Sequence, residues 1–167
     1  MHRIKKSEGI ILIYSQFINA GCIPLALALE EMGIKRYGRK SLFKTPPHPP
    51  IDYRTMGIEP PHGDENEIIP ATYAMITGDH SLSPNKNKNE MAAITDVANL
   101  DGSEVKVVII SKAGAEGLDF KSIRQIHILR LHLNLHDHPF YLVHHNQTHQ
   151  IYLHMSEFHL IHQNCYD

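Results

Sequence analysis

The chain has 167 residues, enough for one ordinary domain and too few for two full-sized ones. Hydrophobic residues make up 42% and charged residues 20%, with a formal net charge of -2, so a global basic field is excluded and any nucleic-acid contact has to come from a local patch. Cys22 and Cys165 are far apart and in no C-x-x-C pair, which excludes cysteine-rich zinc modules and disulfide frameworks and favours a reducing, intracellular setting.

Near the N-terminus, residues 10–14 (IILIY) form a short apolar run rich in β-branched residues. It reads as a strand buried on both faces, the kind found in parallel sheets. It is too short for a signal-peptide core or a membrane span, and nothing in the sequence targets the chain to a membrane. A helical stretch from Ile18 to Met32 follows, with Pro24 placing the start of the regular helix and Gly33 as its C-cap. Leu25, Leu27, Leu29 and Met32 are most simply core, and Cys22 is a small buried residue.

From 35 to 70 the character changes. Pro46, Pro47, Pro49, Pro50, Pro60, Pro61 and Pro70 break any regular element, so the stretch reads as a long irregular insertion on the surface. Its first part, Arg36 to Lys44, is basic and contains Tyr37 and Phe43. Arg39 and Lys40, with Arg36 and Lys44, either touch a nucleic-acid backbone or form a solvated loop. Regular structure resumes with a strand at 72–77 ending in Gly78 and Asp79. A helix is expected from Ser83 and Pro84 to about Asn99, with Met91, Ile94 and Val97 as core positions. Strands at 105–110 and 125–129 complete an alternation that points to a parallel α/β sheet.

After Leu129 the pattern breaks. Nine of the 14 histidines lie at or beyond His132. His132 and His136 are four apart, as are His145 and His149, and on a helix each pair could hold zinc or nickel. Pro139 interrupts the run, and only Asp137 and Cys165 are nearby as further ligands. The alternative is a divergent or disordered tail, including the product of a shifted reading frame. The expected division is therefore 1–130 as the folded lobe and 131–167 as a histidine-rich tail.

Parallel α/β proteins place ligands at the C-terminal ends of their strands. Three such loops hold suggestive residues: Ser15 with Gln16, Gly78 with Asp79, and residues 113–120. In the last, Gly114 and Gly117 allow close approach of backbone to a ligand, and their amides could face phosphate oxygens. Glu116 and Asp119 could accept hydrogen bonds from a ribose or a partner arginine. Spacing alone equally fits a tight loop with solvated acids.

Residues 10–17 (IILIYSQF) resemble motif IV of superfamily 2 helicases of the chromatin-remodeller type, and residues 111–120 (SKAGAEGLDF) followed by 123–129 resemble motif V and its next strand. Residues 25–33 and 73–79 occur in the expected order between them. The chain is most similar to helicase-like ATPases of large cytoplasmic DNA viruses that act in viral transcription, over roughly residues 8 to 129. The resemblance implies an α/β fold of RecA-like type, the second lobe of a two-lobe ATPase, incomplete at both ends. It places Gly117 and Asp119, in the loop that also holds the candidates Gly114 and Glu116, at an ATP cleft shared with an N-terminal RecA-like lobe, with Asp119 near the ribose. It also puts Ser15 and Gln16 near the DNA or RNA backbone or the surface between the lobes, and Gly78 near the nucleic-acid strand. ATP and magnesium are the implied cofactors, available only with the first lobe.

The departures are as specific. The sequence contains no G-x-x-x-x-G-K-[ST] loop, no first-lobe Asp-Glu magnesium motif and no Q-x-x-G-R-x-x-R arginine-finger motif after Leu129. Without these there is no electrostatic clamp for phosphoryl transfer, so this chain alone is expected not to hydrolyse ATP. The alternatives are a non-catalytic module that binds nucleic acid or protein, and a metal-binding protein defined by its histidines. A cytoplasmic location, in the host or the virion, follows from the viral resemblance.

Overall fold

A computed structural model describes residues 9–61, 68–114, 119–120, 122–129, 141–143 and 151–152. Its centre is a sheet in the order β2-β3-β4-β1-β6-β7. The strands are β1 (Ile10–Ser15), β2 (Lys35–Arg36), β3 (Thr72–Ile76), β4 (Val107–Ser111), β6 (Ile123–Leu129) and β7 (Tyr141–Val143). The five from β2 to β6 in that order are mutually parallel, and β7 lies antiparallel against β6. A separate antiparallel pair joins β5 (Asp119–Phe120) to β8 (Ile151–Tyr152). The molecule is of the α/β class.

The continuous apolar runs are explained by burial on both faces. In β1, Ile11 and Ile13 face one core cluster with Tyr73, Met75, Val107 and Ile109, under Ala26 and Leu29 of α1 (Ile23–Glu31). Ile10, Leu12 and Tyr14 face the other, with Ala74, Ile76, Val108 and Ile110, against Ala93 and Ile94 of α2 (Lys88–Thr95). This is the period-2 alternation of a strand with no polar face. Each fully buried aliphatic side chain here contributes about 1.5–3 kcal/mol of transfer free energy.

α1 starts where expected, with Pro24 in its first turn, but a π-helical turn at Ile18–Cys22 precedes it. Gly33, at φ +87°, ends it, and the Ile34 amide donates to the Leu29 carbonyl. The second helix is shorter than the sequence suggests. A 3-10 turn at Pro84–Asn87 leads into α2, and a second 3-10 turn spans Val97–Asn99. Asp96 breaks the helix because its extended backbone lets its carboxylate accept the Ala98 amide. Val97 is therefore not a core residue: it is 76% exposed.

The 35–70 stretch carries a two-residue strand and an isolated bridge between Asp52 and Pro70. Contrary to a loop lying wholly on the surface, Ile51, Asp52 and Met56 are buried. The Ile51 amide donates to the Gly33 carbonyl at 3.1 Å, and the Ala71 amide to the Ile51 carbonyl at 2.8 Å. Ile51 and Met56 fill the lower part of the α1-side core beside Ile34 and Ala71, so this segment completes a core layer. Among the described residues no helix is long and apolar enough to cross a membrane.

Candidate functional site at the carboxyl edge of the sheet

The parallel register brings three strand ends into one row. Ser15 pairs with Ser111, and Ile76 pairs with Ile110. The residues that follow, Gln16, Lys112 and the Thr77–Gly78 turn, therefore emerge side by side at the carboxyl edge.

Each turn is closed by short-range contacts. Ser15 is fully buried, and its Oγ sits 3.1 Å from the Phe17 carbonyl and 3.3 Å from the Phe17 amide. That hydroxyl holds the strand-to-helix turn and is engaged locally, whereas Gln16 is exposed. Cys22 lies beneath the turn. Burial pushes its thiol up to about 11, so it carries no nucleophilic thiolate near neutral pH.

After β3, Ser83 Oγ accepts the Thr77 amide at 2.9 Å and donates to the Met75 carbonyl at 3.0 Å. Asn87 Nδ2 donates to the same carbonyl at 3.3 Å. Asp79 accepts the Ser81 amide and hydroxyl at 2.7 and 2.6 Å, and these bonds, the hydroxyl foremost, hold its carboxyl below the usual carboxylate range. After β4, the Gly114 amide donates to the Ser111 carbonyl at 3.1 Å and to its hydroxyl at 3.2 Å.

The two turns touch. A Cβ at Gly78 would lie 2.6 Å from the Ala113 Cβ, and one at Gly114 would overlap the Ile76 carbonyl oxygen. Glycine is required at both because two strand ends close on each other. The Gly114 amide is bonded inside its own turn. Of the other residues expected at a nucleotide, Glu116 and Gly117 lie outside the described residues, and Asp119 is placed only as part of β5. Within this turn the Gly114 amide is thus committed to Ser111.

Arg39 and Lys40 belong to a different place. They follow β2 at the far side of β3, whereas Ser15 ends β1, with β4 between β3 and β1. The Arg39 side chain forms an ion pair with Glu90 of α2 and donates to the Pro84 carbonyl at 3.3 Å. It fastens the segment to α2. Lys40 is exposed. The structure therefore brings Ser15, Gln16, Gly78 and Gly114 to one edge and leaves Arg39 and Lys40 apart from them.

Sequence reasoning missed the acids that organise this second region. Glu30 is 4% exposed, and its carboxylate accepts the Tyr73 hydroxyl at 2.8 Å, Ser41 Oγ at 2.5 Å, the Leu42 amide at 2.9 Å and the Phe43 amide at 3.1 Å. Desolvation alone would raise its pKa, but these hydrogen bonds together outweigh it, and the carboxyl is held low. The Glu30 bonds also push the Tyr73 phenol up, behind the larger effect of burial. Asp52 is fully buried under Arg54 and accepts the Ile69 amide at 3.0 Å. The Arg54 hydrogen bonds hold it down at about 2. A signal for Glu30 exists in the sequence: it stands four residues after Ala26, on the helix face that must be buried. Among the described residues no group of three or more potential metal ligands comes together, and the histidine pairs of the tail lie outside those residues.

No known family profile matches the chain, and no solved structure matches it. Curated viral proteins do. The chain is 28% identical over 145 residues to the termination factor NPH-I homolog of a Malawi tick isolate of African swine fever virus, covering 77% of this chain and 19% of that protein. It is 30% identical over 138 residues to the same factor from a Kenyan pig isolate, with the same coverage. It is 24% identical over 145 residues to a protein of Acanthamoeba polyphaga mimivirus named provisionally as an ATP-dependent RNA helicase, covering 78% of this chain and 12% of that protein. The chain thus spans less than a fifth of the length of these relatives.

Proposed function

We propose that this chain is the second RecA-like lobe of a nucleic-acid-dependent ATPase of the superfamily 2 helicase type. The observation that carries this reading is the parallel sheet whose successive strand ends, Ser15, Gly78 and Ser111 to Gly114, meet on one edge. Ligands of open α/β sheets bind at that edge. The similarity to viral proteins named as a termination factor and as an ATP-dependent RNA helicase supports the same reading.

In this reading residues 10–17 act as motif IV and 111–120 as motif V. An N-terminal RecA-like lobe is the partner, and ATP with magnesium sits between the lobes. Glu116, Gly117 and Asp119 would face the nucleotide. Gly114 acts by letting its turn close on β3. Gln16 and Gly78 lie on the edge that DNA or RNA would cross, and Lys40, apart from that edge on the β2 side, would offer a separate backbone contact. Ser15 and Arg39 shape the backbone on which those contacts stand. The setting is the cytoplasm of a host cell or a virion.

The test is single-strand binding and ATP turnover by the purified chain. The chain alone is expected to bind single-stranded RNA or DNA weakly, with affinity falling as salt rises, and to show no ATP turnover. Lys40→Glu is expected to weaken that binding. Turnover by the isolated chain, or binding indifferent to salt and to Lys40→Glu, counts against the reading.

A further inference from the structure

Ser41 stands where the basic segment meets a buried carboxylate. Lys35, Arg36, Arg39, Lys40 and Lys44 surround it in sequence, and no acid occurs between Lys35 and Ile51. Its Oγ lies 2.5 Å from Glu30 Oε2, the oxygen that also receives the Phe43 amide at 3.1 Å and the Leu42 amide at 3.0 Å. On the core side, the Tyr73 hydroxyl holds the other carboxylate oxygen at 2.8 Å. Ser41 is itself partly exposed, in a stretch with no helix or strand between Arg36 and the Asp52 bridge.

We propose that Ser41 is a phosphorylation site for a serine kinase that selects basic residues upstream of its target, and that the phosphate unlatches residues 41–43 from Glu30. Arg36, Arg39 and Lys40 supply the upstream cations. The kinase reaches the hydroxyl when this locally held loop opens. In the transfer, a bond forms between Ser41 Oγ and the γ-phosphorus of ATP. The bond from that phosphorus to the β,γ-bridging oxygen breaks, ADP leaves, and the hydroxyl proton passes to the kinase's base.

The product cannot close the loop again. A donor to Glu30 has become a group carrying about -1.5 to -2 charge beside a buried carboxylate. Glu30 cannot withdraw, because it extends from α1 and is held by Tyr73 in the core. The loop side yields, and the Leu42 and Phe43 amides lose their acceptor. The five cations of residues 35–44 then carry a local charge of about +3 in place of +5. The latch stands independently of the proposed nucleic-acid contact; only the consequence for strand binding rests on it.

The experiment treats the full chain with the catalytic subunit of cyclic-AMP-dependent protein kinase and magnesium ATP. Mass spectrometry locates the phosphate, and amide hydrogen exchange reads Leu42 and Phe43. Phosphate is expected on Ser41 in the native sequence and not at that position in Ser41→Ala. Exchange at both amides is expected to rise on the order of tenfold or more on phosphorylation, while β4 amides stay protected. Ser41→Ala alone is expected to raise it much less, since both amides keep the carboxylate. In Glu30→Gln the phosphate should add little, because a neutral amide does not repel it. No incorporation at Ser41, or incorporation with unchanged exchange, overturns the proposal. Increased exchange without any change in single-strand binding upholds the latch and removes residues 36–44 from the nucleic-acid surface.

Discussion

The carboxyl-edge turns and the 35–70 segment are both irregular backbone, yet they are held in opposite ways. The turns after β1, β3 and β4 are closed by hydroxyls and by glycines that let strand ends touch. The hydroxyls' hydrogen-bond partners lie a few residues away, and the glycines meet only the neighbouring strand end. The 35–70 segment is held by two buried carboxylates, Glu30 and Asp52, and by the Arg39 to Glu90 ion pair, with partners up to 51 residues distant. A neutral, local turn is fixed as soon as its strands pair. A charged, long-range anchor holds only while every partner is in place, because an unpaired buried charge is costly. The first region is therefore rigid by sterics, and the second is conditional on ionisation and on covalent change.

The largest expected effect is at Glu30. Glu30→Ala leaves the Tyr73 hydroxyl buried and releases two amides and Ser41, for a loss of about 3–4 kcal/mol in urea unfolding. It should also expose Arg39 and Lys40 to trypsin. A loss below about 1 kcal/mol with unchanged proteolysis removes the latch from the account.

Gly114→Ala tests the other region. Its Cβ would meet the Ile76 carbonyl oxygen, which is backbone and cannot step aside, so about 2–3 kcal/mol is expected, without added proteolysis at 36–44. Loosening of both regions together would dissolve the contrast between them.

Acid should affect the segment first. Asp52 has its folded-state pKa depressed from its usual 3.8 to about 2. Its contribution is thus present above the unfolded value and is lost as pH falls through that window. On the order of 2 kcal/mol should disappear between those pH values, and Asp52→Asn should flatten that part of the curve. Glu30, also held low, acts with the same sign. A native protein whose stability does not fall as pH drops through this window contradicts the assignment.

The smallest effect is at Val97. At 76% exposure it packs against little, so Val97→Thr should shift stability by under about 0.5 kcal/mol. A larger loss by thermal unfolding would restore it to the core and α2 to its longer expected length.

The central strands were legible because burial on both faces leaves continuous β-branched runs, as in residues 10–14 and 107–110. The end of α1 was legible from Gly33 and its start from Pro24. The early end of α2 was not, because the Asp96 carboxylate competes for backbone in a way that hydrophobic spacing does not register. In the candidate site, Ser15, Gln16, Gly78 and Gly114 were found by their positions after strands. What each does there was not legible. Whether an amide is free or closed inside its turn, as at Gly114, depends on geometry that no motif states.

The sequence by itself determined the α/β class, the strand-ending loops and the similarity to viral proteins named as a termination factor and, provisionally, as an RNA helicase, because periodicity and motif order are properties of neighbouring residues. Only the tertiary structure decided that Glu30, Asp52 and Glu90 anchor the basic, proline-rich segment. Each has at least one partner distant in the chain, Tyr73 for Glu30, Ile69 for Asp52 and Arg39 for Glu90, and a carboxylate is read as solvated until the fold removes the water around it.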